Sequence, residues 1–377
     1  MAAGASPVEA VGVTPAFWAG RRVFLTGHTG FKGGWLALWL HRLGAQVTGF
    51  ALPPATTPAL YDLARVDTVL DAVTGDIREA GTLAAALRRA RPEVVFHLAA
   101  QPLVLESYAD PLGTYATNVM GTANLLEAVR AAGGVRAVVV VTTDKCYAPS
   151  DAPAGHREED RLGGYDPYSS SKACAELVTE AWRASYFPAE RHATHGVAVA
   201  SVRAGNVIGG GDWSAHRLVP DLLGAFAAGT PAAVRHPGAV RPWQHVLEPL
   251  AGYLALAERL AGEGTTWGTA WNFGPDAADM RPVAQVADLL AEAWGRGAEW
   301  RAEPMTEAPR ETPVLLLDSA RARDRLGWAP RWSLPEALTH IAAWERARLA
   351  GADMQAVTLA QIDAYAVEAH RQAGFSP

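Results

Sequence analysis

The chain has 377 residues, 49% of them hydrophobic and 19% charged, with a formal net charge of −6. This suits one large α/β domain or two unequal lobes of an ordinary globular protein. It excludes a nucleic-acid track, because no basic block is present, and a bilayer span, because no apolar run approaches the ~20 residues required.

Residues 1–20 show no basic segment leading into an apolar stretch. They read as a short disordered leader and not as a secretory signal. The two cysteines, Cys146 and Cys174, are too few for a disulfide framework or a zinc site. No metal is expected, and a reducing cytoplasm is.

From residue 21 onward, apolar strand-like runs at 23–26, 46–52, 69–74, 94–98, 137–142 and 196–202 alternate with helical patterns at 33–43, 81–91, 115–132 and 168–186. The alternation predicts a Rossmann-type doubly wound parallel sheet, and the near-continuous apolar strands fit a sheet covered on both faces. Residues 21–202 are expected to form a dinucleotide-binding domain that carries the catalytic residues. After residue 202 the regularity fades, glycines 209–211 mark a loop, and proline and tryptophan become frequent. Residues 203–377 read mainly as a smaller substrate-binding lobe, interleaved with the sheet because residues 271–273 look like another strand. Trp213, Trp243, Trp271 and Trp328 read as packing residues, given the area tryptophan buries.

Gly27, Gly30 and Gly33 follow a strand and open a helix, with Thr29, Phe31 and Lys32 between them. The first glycine can turn the chain tightly, the second can admit a pyrophosphate, and the third lets the helix pack on the strand. The helix N-terminus adds unpaired N–H groups and a positive dipole end. This spacing resembles the extended short-chain dehydrogenase/reductase superfamily. In that superfamily Asp76 and Ile77 would meet the adenine, and Leu98, Ala99 and Ala100 would line the cofactor. An acid at the end of the second strand, which usually binds the adenosine ribose, is missing from residues 49–53. Lys32 could favour a ribose phosphate or stand as a solvated lysine at a helix terminus.

Tyr168 and Lys172 are four apart at the start of a helical run, hence on one face. A nearby ammonium lowers a phenol's pKa, and a phenolate can take a hydroxyl proton while hydride leaves the same carbon. Lys172 could also bind the nicotinamide ribose. Thr143, Asp144 and Lys145 lie just past the fifth strand, where open α/β sheets place ligands. Thr143 can hydrogen-bond a sugar hydroxyl. Asp144, held protonated in a dry pocket, can act as a general acid on a leaving hydroxyl. Lys145, if its pKa is depressed, can accept a carbon-bound proton. Cys146 reads as a small buried side chain.

Residues 26–35 (TGHTGFKGGW), 143–147 (TDKCY), 163–172 (GGYDPYSSSK), 203–213 (RAGNVIGGGDW) and 241–246 (RPWQHV) are similar to the CDP-glucose 4,6-dehydratase family. The similarity covers residues 21 to about 332. It implies NAD as cofactor, CDP-glucose as substrate, a place in deoxysugar biosynthesis, and a homodimer through helices such as 115–132. It also implies that Asn206 and Arg241 hold the diphosphate, that Arg217 and Leu218 lie near the base and ribose, and that Gln101 and Ser107 face the sugar. Lys145, or alternatively Glu106, would take the C5 proton. The family often carries arginine where this chain has Leu105 and Glu106.

Overall fold

The computed structural model describes residues 12–150, 155–295, 297–303 and 313–372, with side chains to residue 367. The strands are β1 (Arg22–Thr26), β2 (Gln46–Ala51), β3 (Asp71–Thr74), β4 (Val94–His97), β5 (Ala137–Val141), β6 (Ala198–Ala204), β7 (Asn206–Ile208), β8 (Ala232–Val234), β9 (Val240–His245), β10 (Ala270–Phe273), β11 (Met280–Pro282) and β12 (Trp300–Ala302). A seven-stranded sheet runs in the order β10-β6-β5-β4-β1-β2-β3, every pairing parallel.

Side chains alternate across the strands with period two, and each face finds helices to cover it. Val23 and Leu25 of β1, with Val139 of β5, bury on one side against Trp35, Leu36 and Trp39 of the helix Phe31–Arg42 and Leu250, Tyr253 and Leu254 of the helix Leu247–Glu263. Phe24, Val95 and Val138 bury on the other, against Leu83 and Leu87 of Ala80–Ala90 and Leu125 and Val129 of Gly121–Ala132. β1 connects outward to β2, and β4 lies on its other side. The sheet therefore reverses winding between β1 and β4, which opens a crevice over their carboxyl ends.

The second lobe has its own core. Val219, Leu222 and Phe226 of the helix Leu218–Ala227 pack with Val286 and Leu290 of Val283–Trp294 and with Leu338 and Ile341 of Leu334–Leu349. Two small sheets, β11-β9-β7 and β12-β8, complete it. β10 pairs with β6 as the last strand of the large sheet, and the helix Leu247–Glu263 covers one sheet face. The C-terminal helix Met354–Gln372 returns to the first body, where the Tyr365 ring meets Trp39 at 5.7 Å and Arg42 pairs with Asp363 at 2.8 Å.

The expected leader departs from expectation at its end. Pro15–Trp18 is a helical turn, and Trp18 is fully buried with its indole Nε1 donating to Glu258 at 2.7 Å. A large apolar ring with a satisfied N–H anchors this segment. Residues 1–11 of that leader lie outside the described residues. No helix among the described residues is long and apolar enough to cross a membrane.

Candidate active site

The crevice holds a cavity of about 960 Å³ that runs from the glycine turn to the second lobe. At one end β1 delivers the chain into a tight turn. Gly27 has φ 80°, and a Cβ there would stand 2.7 Å from Ala99 N; a Cβ on Gly33 would stand 2.0 Å from Gly27 O. Only glycine brings the turn, the β4 loop and the helix this close. The helix then begins at Phe31, and Phe31, Lys32 and Gly33 of its first turn line the cavity. Thr29 donates its hydroxyl to Leu52 O at 2.9 Å, tying the turn to the end of β2. Ile77, Leu98, Ala99 and Ala100 line the same end, as does Asp76, whose carboxylate accepts from Arg78 Nε at 2.8 Å. Arg78 is a wall residue that the sequence reading missed. It is local to Asp76, but nothing in the spacing marks it.

Behind the turn, His97 lies between the hydroxyls of Thr26 (2.8 Å) and Thr122 (3.2 Å). Burial, with Lys172 adding to it, pushes its pKa down to about 3. The ring is thus neutral and serves as a hydrogen-bonded strut between β1, β4 and the helix Gly121–Ala132.

The catalytic end is built by a helix start. Asp166 caps the helix Pro167–Ser185, accepting from Ser169 N at 2.8 Å and Ser169 Oγ at 2.6 Å, and Pro167 occupies the first turn. This fixes Tyr168 in the first turn and Lys172 one turn on, both buried and both on the cavity wall. Lys172 Nζ donates to Val141 O at 3.2 Å, and burial pushes its pKa down to about 8, with Glu176 opposing. The lowering of the Tyr168 phenol by Lys172 is not what the structure holds. Burial pushes the phenol up to about 12, opposed by a hydrogen bond to Thr143 and by the Arg217 charge. In a dry pocket the desolvation cost of phenolate outweighs these partners.

Thr143 also donates to Asp144 Oδ1 at 3.0 Å. Asp144 is buried with Oδ2 unpartnered, and burial raises its carboxyl above the usual range, against Lys145, Thr143, Arg241 and Lys32. A carboxyl in this state is suited to donate a proton. Lys145 is half-buried beside it on the cavity wall, and Glu106 stands exposed on the same wall. Beneath the centre, Glu176 accepts from Arg203 Nη2 at 2.8 Å, from Ser201, and from Thr142. This buried pair, four residues beyond Lys172, was not read from the sequence.

Lys32 lines the cavity in the first turn of the helix. Burial pushes its pKa down to about 8, Arg217 and Lys172 add to this, and Asp144 and Asp212 oppose it. Its ammonium is thus coupled electrostatically to the catalytic end. Asn206, Arg217, Leu218 and Arg241 all line the cavity toward the second lobe, with Arg217 held by Asp212 at 2.8 Å. Gln101 and Ser107 do not line it. The Gln101 amide donates to Leu103 O and Thr114, and the Ser107 hydroxyl donates to Val104 O at 2.6 Å. Both satisfy buried backbone of their own loop, which outweighs facing a sugar. Cys146 is fully buried, its thiol pushed well above its ordinary value, and neither cysteine is disulfide-bonded.

A helix N-terminus open to pyrophosphate and a helix-borne tyrosine aimed into the same crevice define a class, the extended short-chain dehydrogenases/reductases. The chain belongs to the NAD dependent epimerase/dehydratase family, whose model matches residues 23–274. It is 48% identical to CDP-glucose 4,6-dehydratase of Salmonella typhimurium over 93% of this chain and 97% of that protein. A dTDP-glucose 4,6-dehydratase structure from Streptomyces venezuelae with NAD bound superposes with a TM-score of 0.72 at 26% identity, covering 89% of this chain and 99% of that one. A UDP-glucose 4-epimerase from Thermotoga maritima shares the fold, with a TM-score of 0.74 at 24% identity over 87% and 99% of the two chains. The cofactor is NAD, and the tight turn at Gly27 and Gly33, where a Cβ would collide with backbone, fits it.

Proposed function

We propose that this protein is a CDP-glucose 4,6-dehydratase, converting CDP-D-glucose to CDP-4-keto-6-deoxy-D-glucose and water. The observation that carries the reading is Asp144: a buried carboxyl with one unpartnered oxygen, in the cavity that Tyr168 also lines. A 4-epimerase needs no acid for a leaving hydroxyl. The relative from Salmonella typhimurium supports the cytidine branch.

Gly27, Thr29, Gly30, Phe31, Gly33, Asp76, Ile77, Leu98, Ala99 and Ala100 would hold NAD, which supplies a reversible hydride acceptor between sugar carbons C4 and C6. Tyr168, as the phenolate that Thr143 and Arg217 favour against burial, takes the C4 hydroxyl proton, and Lys172 would hold the nicotinamide ribose. With a ketone at C4 the C5 hydrogen is acidic, and Lys145 removes it. Asp144 gives its proton to the C6 hydroxyl, which leaves as water. Asn206 and Arg241 hold the diphosphate, with arginine's planar fork matched to phosphate, and Arg217, expected near the base and ribose, joins them because its charge acts on Tyr168.

The protein works in the cytoplasm as a homodimer. Leu112 is 81% exposed, Met120 57% and Leu177 55%, on neighbouring helical segments. Large exposed apolar side chains grouped in this way favour a second copy as cover.

Mass spectrometry after incubation with NAD and, separately, CDP-, dTDP-, GDP- and UDP-hexoses tests the reaction. Loss of one water from CDP-glucose alone is expected. Water loss from another donor moves the branch, and no mass change with any donor favours an epimerase.

A further inference from the structure

Arg217 and Arg241 act electrostatically on the catalytic centre, the first on the Tyr168 phenol and the second on the Asp144 carboxyl. A nucleotide sugar with its hexose at Tyr168 thus lays its diphosphate on these cations and its nucleoside beyond them. There the cavity wall is made by the helix Leu218–Ala227 and by β8, and it carries two charged residues that take no part in the chemistry: Asp221 and Arg235. Asp221 N donates to Arg217 O at 3.0 Å, so Asp221 stands one helical turn past the diphosphate cation. Arg235 follows the last residue of β8.

The two side chains approach without closing on each other. Asp221 Oδ2 lies 3.8 Å from Arg235 Nη2, beyond hydrogen-bond length. Arg235 Nη2 instead donates to His216 O at 2.7 Å. His216 has φ 64°, a left-handed backbone that is costly for a non-glycine residue and turns its carbonyl to meet the guanidinium. Partial burial raises the Asp221 carboxyl above its ordinary value, with Arg235 and His216 opposing.

An acceptor beside a donor matches one pyrimidine. Cytosine presents an exocyclic amine that donates, next to a ring nitrogen and a carbonyl that accept. Uracil and thymine present a carbonyl where cytosine has the amine, and a ring N–H. Against uracil, Asp221 would face a second acceptor, leaving both unpaired.

We propose that Asp221 and Arg235 form the subsite that selects cytosine, Asp221 accepting from the exocyclic amine and Arg235 donating to the ring nitrogen or carbonyl. The inference rests on the nucleotide-sugar reading and names its specificity determinant. It is tested by titration calorimetry of the NAD-loaded protein with CDP and with UDP. The wild type should bind CDP at least about 30-fold tighter than UDP, since a site built to hydrogen-bond a group rejects the analogue lacking it. Asp221→Asn, whose amide can donate to the uracil carbonyl, should weaken CDP about tenfold and bring the ratio near one. Arg235→Met should also collapse the preference and serves as the second variant. A wild-type ratio near one overturns the proposal. So does an unchanged ratio in Asp221→Asn that retains wild-type circular dichroism and NAD binding. Selective CDP binding that Asp221→Asn erases, without water loss from CDP-glucose in the wild type, supports this subsite and overturns the proposed reaction.

Discussion

Tyr168 sits where its phenol ionises only with help. Burial pushes it up to about 12, and the opposing groups are the Thr143 hydroxyl and the Arg217 charge. Tyr168→Phe should therefore keep the fold and NAD affinity and lower kcat about 1000-fold, the scale of a lost general base; steady-state kinetics beside NAD titration checks both halves. Asp144 is the complementary case, a carboxyl that the same dryness pushes above its ordinary value. Asp144→Asn should still allow C4 oxidation but stall before water leaves. Reduced nicotinamide should then accumulate, visible by its near-ultraviolet absorbance after mixing with CDP-glucose. Absence of that signal, with substrate bound, would sink the acid role.

At the scale of elements, Glu248 of the helix Leu247–Glu263 gathers the C-terminal region. It accepts from Arg331 N at 3.0 Å, Trp332 N at 2.8 Å and Tyr365 Oη at 2.6 Å. Burial holds its carboxyl up at about 7 from an ordinary 4.5, against those hydrogen bonds. Between pH 4.5 and 7 the folded chain keeps a proton that the unfolded chain has released. The group's contribution is complete below that window and falls as pH rises through it, by at most about 3 kcal/mol. Glu248→Gln should flatten this dependence in urea titrations across the same window. It should also cost about 1–3 kcal/mol below the window, because an amide N–H replaces one acceptor.

Legibility from sequence followed the elements. The glycine turn and the pair Tyr168–Lys172 each lie within one strand–turn or helix start, so local spacing placed them; the cap at Asp166 that fixes the second was not read from the sequence. The β-strands were readable because both faces are covered and the runs stay apolar; β6 still ran two residues further, to Ala204, than the pattern indicated. What depends on through-space meetings was not readable. Lys32 feels the charges of Asp144 and Asp212, Gln101 and Ser107 turn back to their own loop, and Asp221 approaches Arg235 only because a helix and a strand converge.

For the whole molecule, the exposed side chains of Leu112, Met120 and Leu177 are the basis of the dimer proposed above. Light scattering at working concentration should give twice the chain mass. The double variant Leu112→Arg/Leu177→Arg should give a monomer with unchanged circular dichroism, because buried unpaired charge in a dimer interface is strongly unfavourable. A wild-type monomer would end the dimer reading.

The placement of β10 has a consequence for engineering. One edge strand of the dinucleotide sheet, and the helix beneath it, come from residues 247–273, after β7, β8, β9 and the helix Leu218–Ala227 have been traversed. A ribosome-bound chain that stops short of β10 presents β6, seven buried residues long, as an unpaired apolar edge open to other chains. Chimeras that exchange nucleotide preference should therefore be cut on either side of residues 247–273, so that this segment stays with the parent of the sheet; a single crossover near residue 205 would pair β6 with a foreign β10.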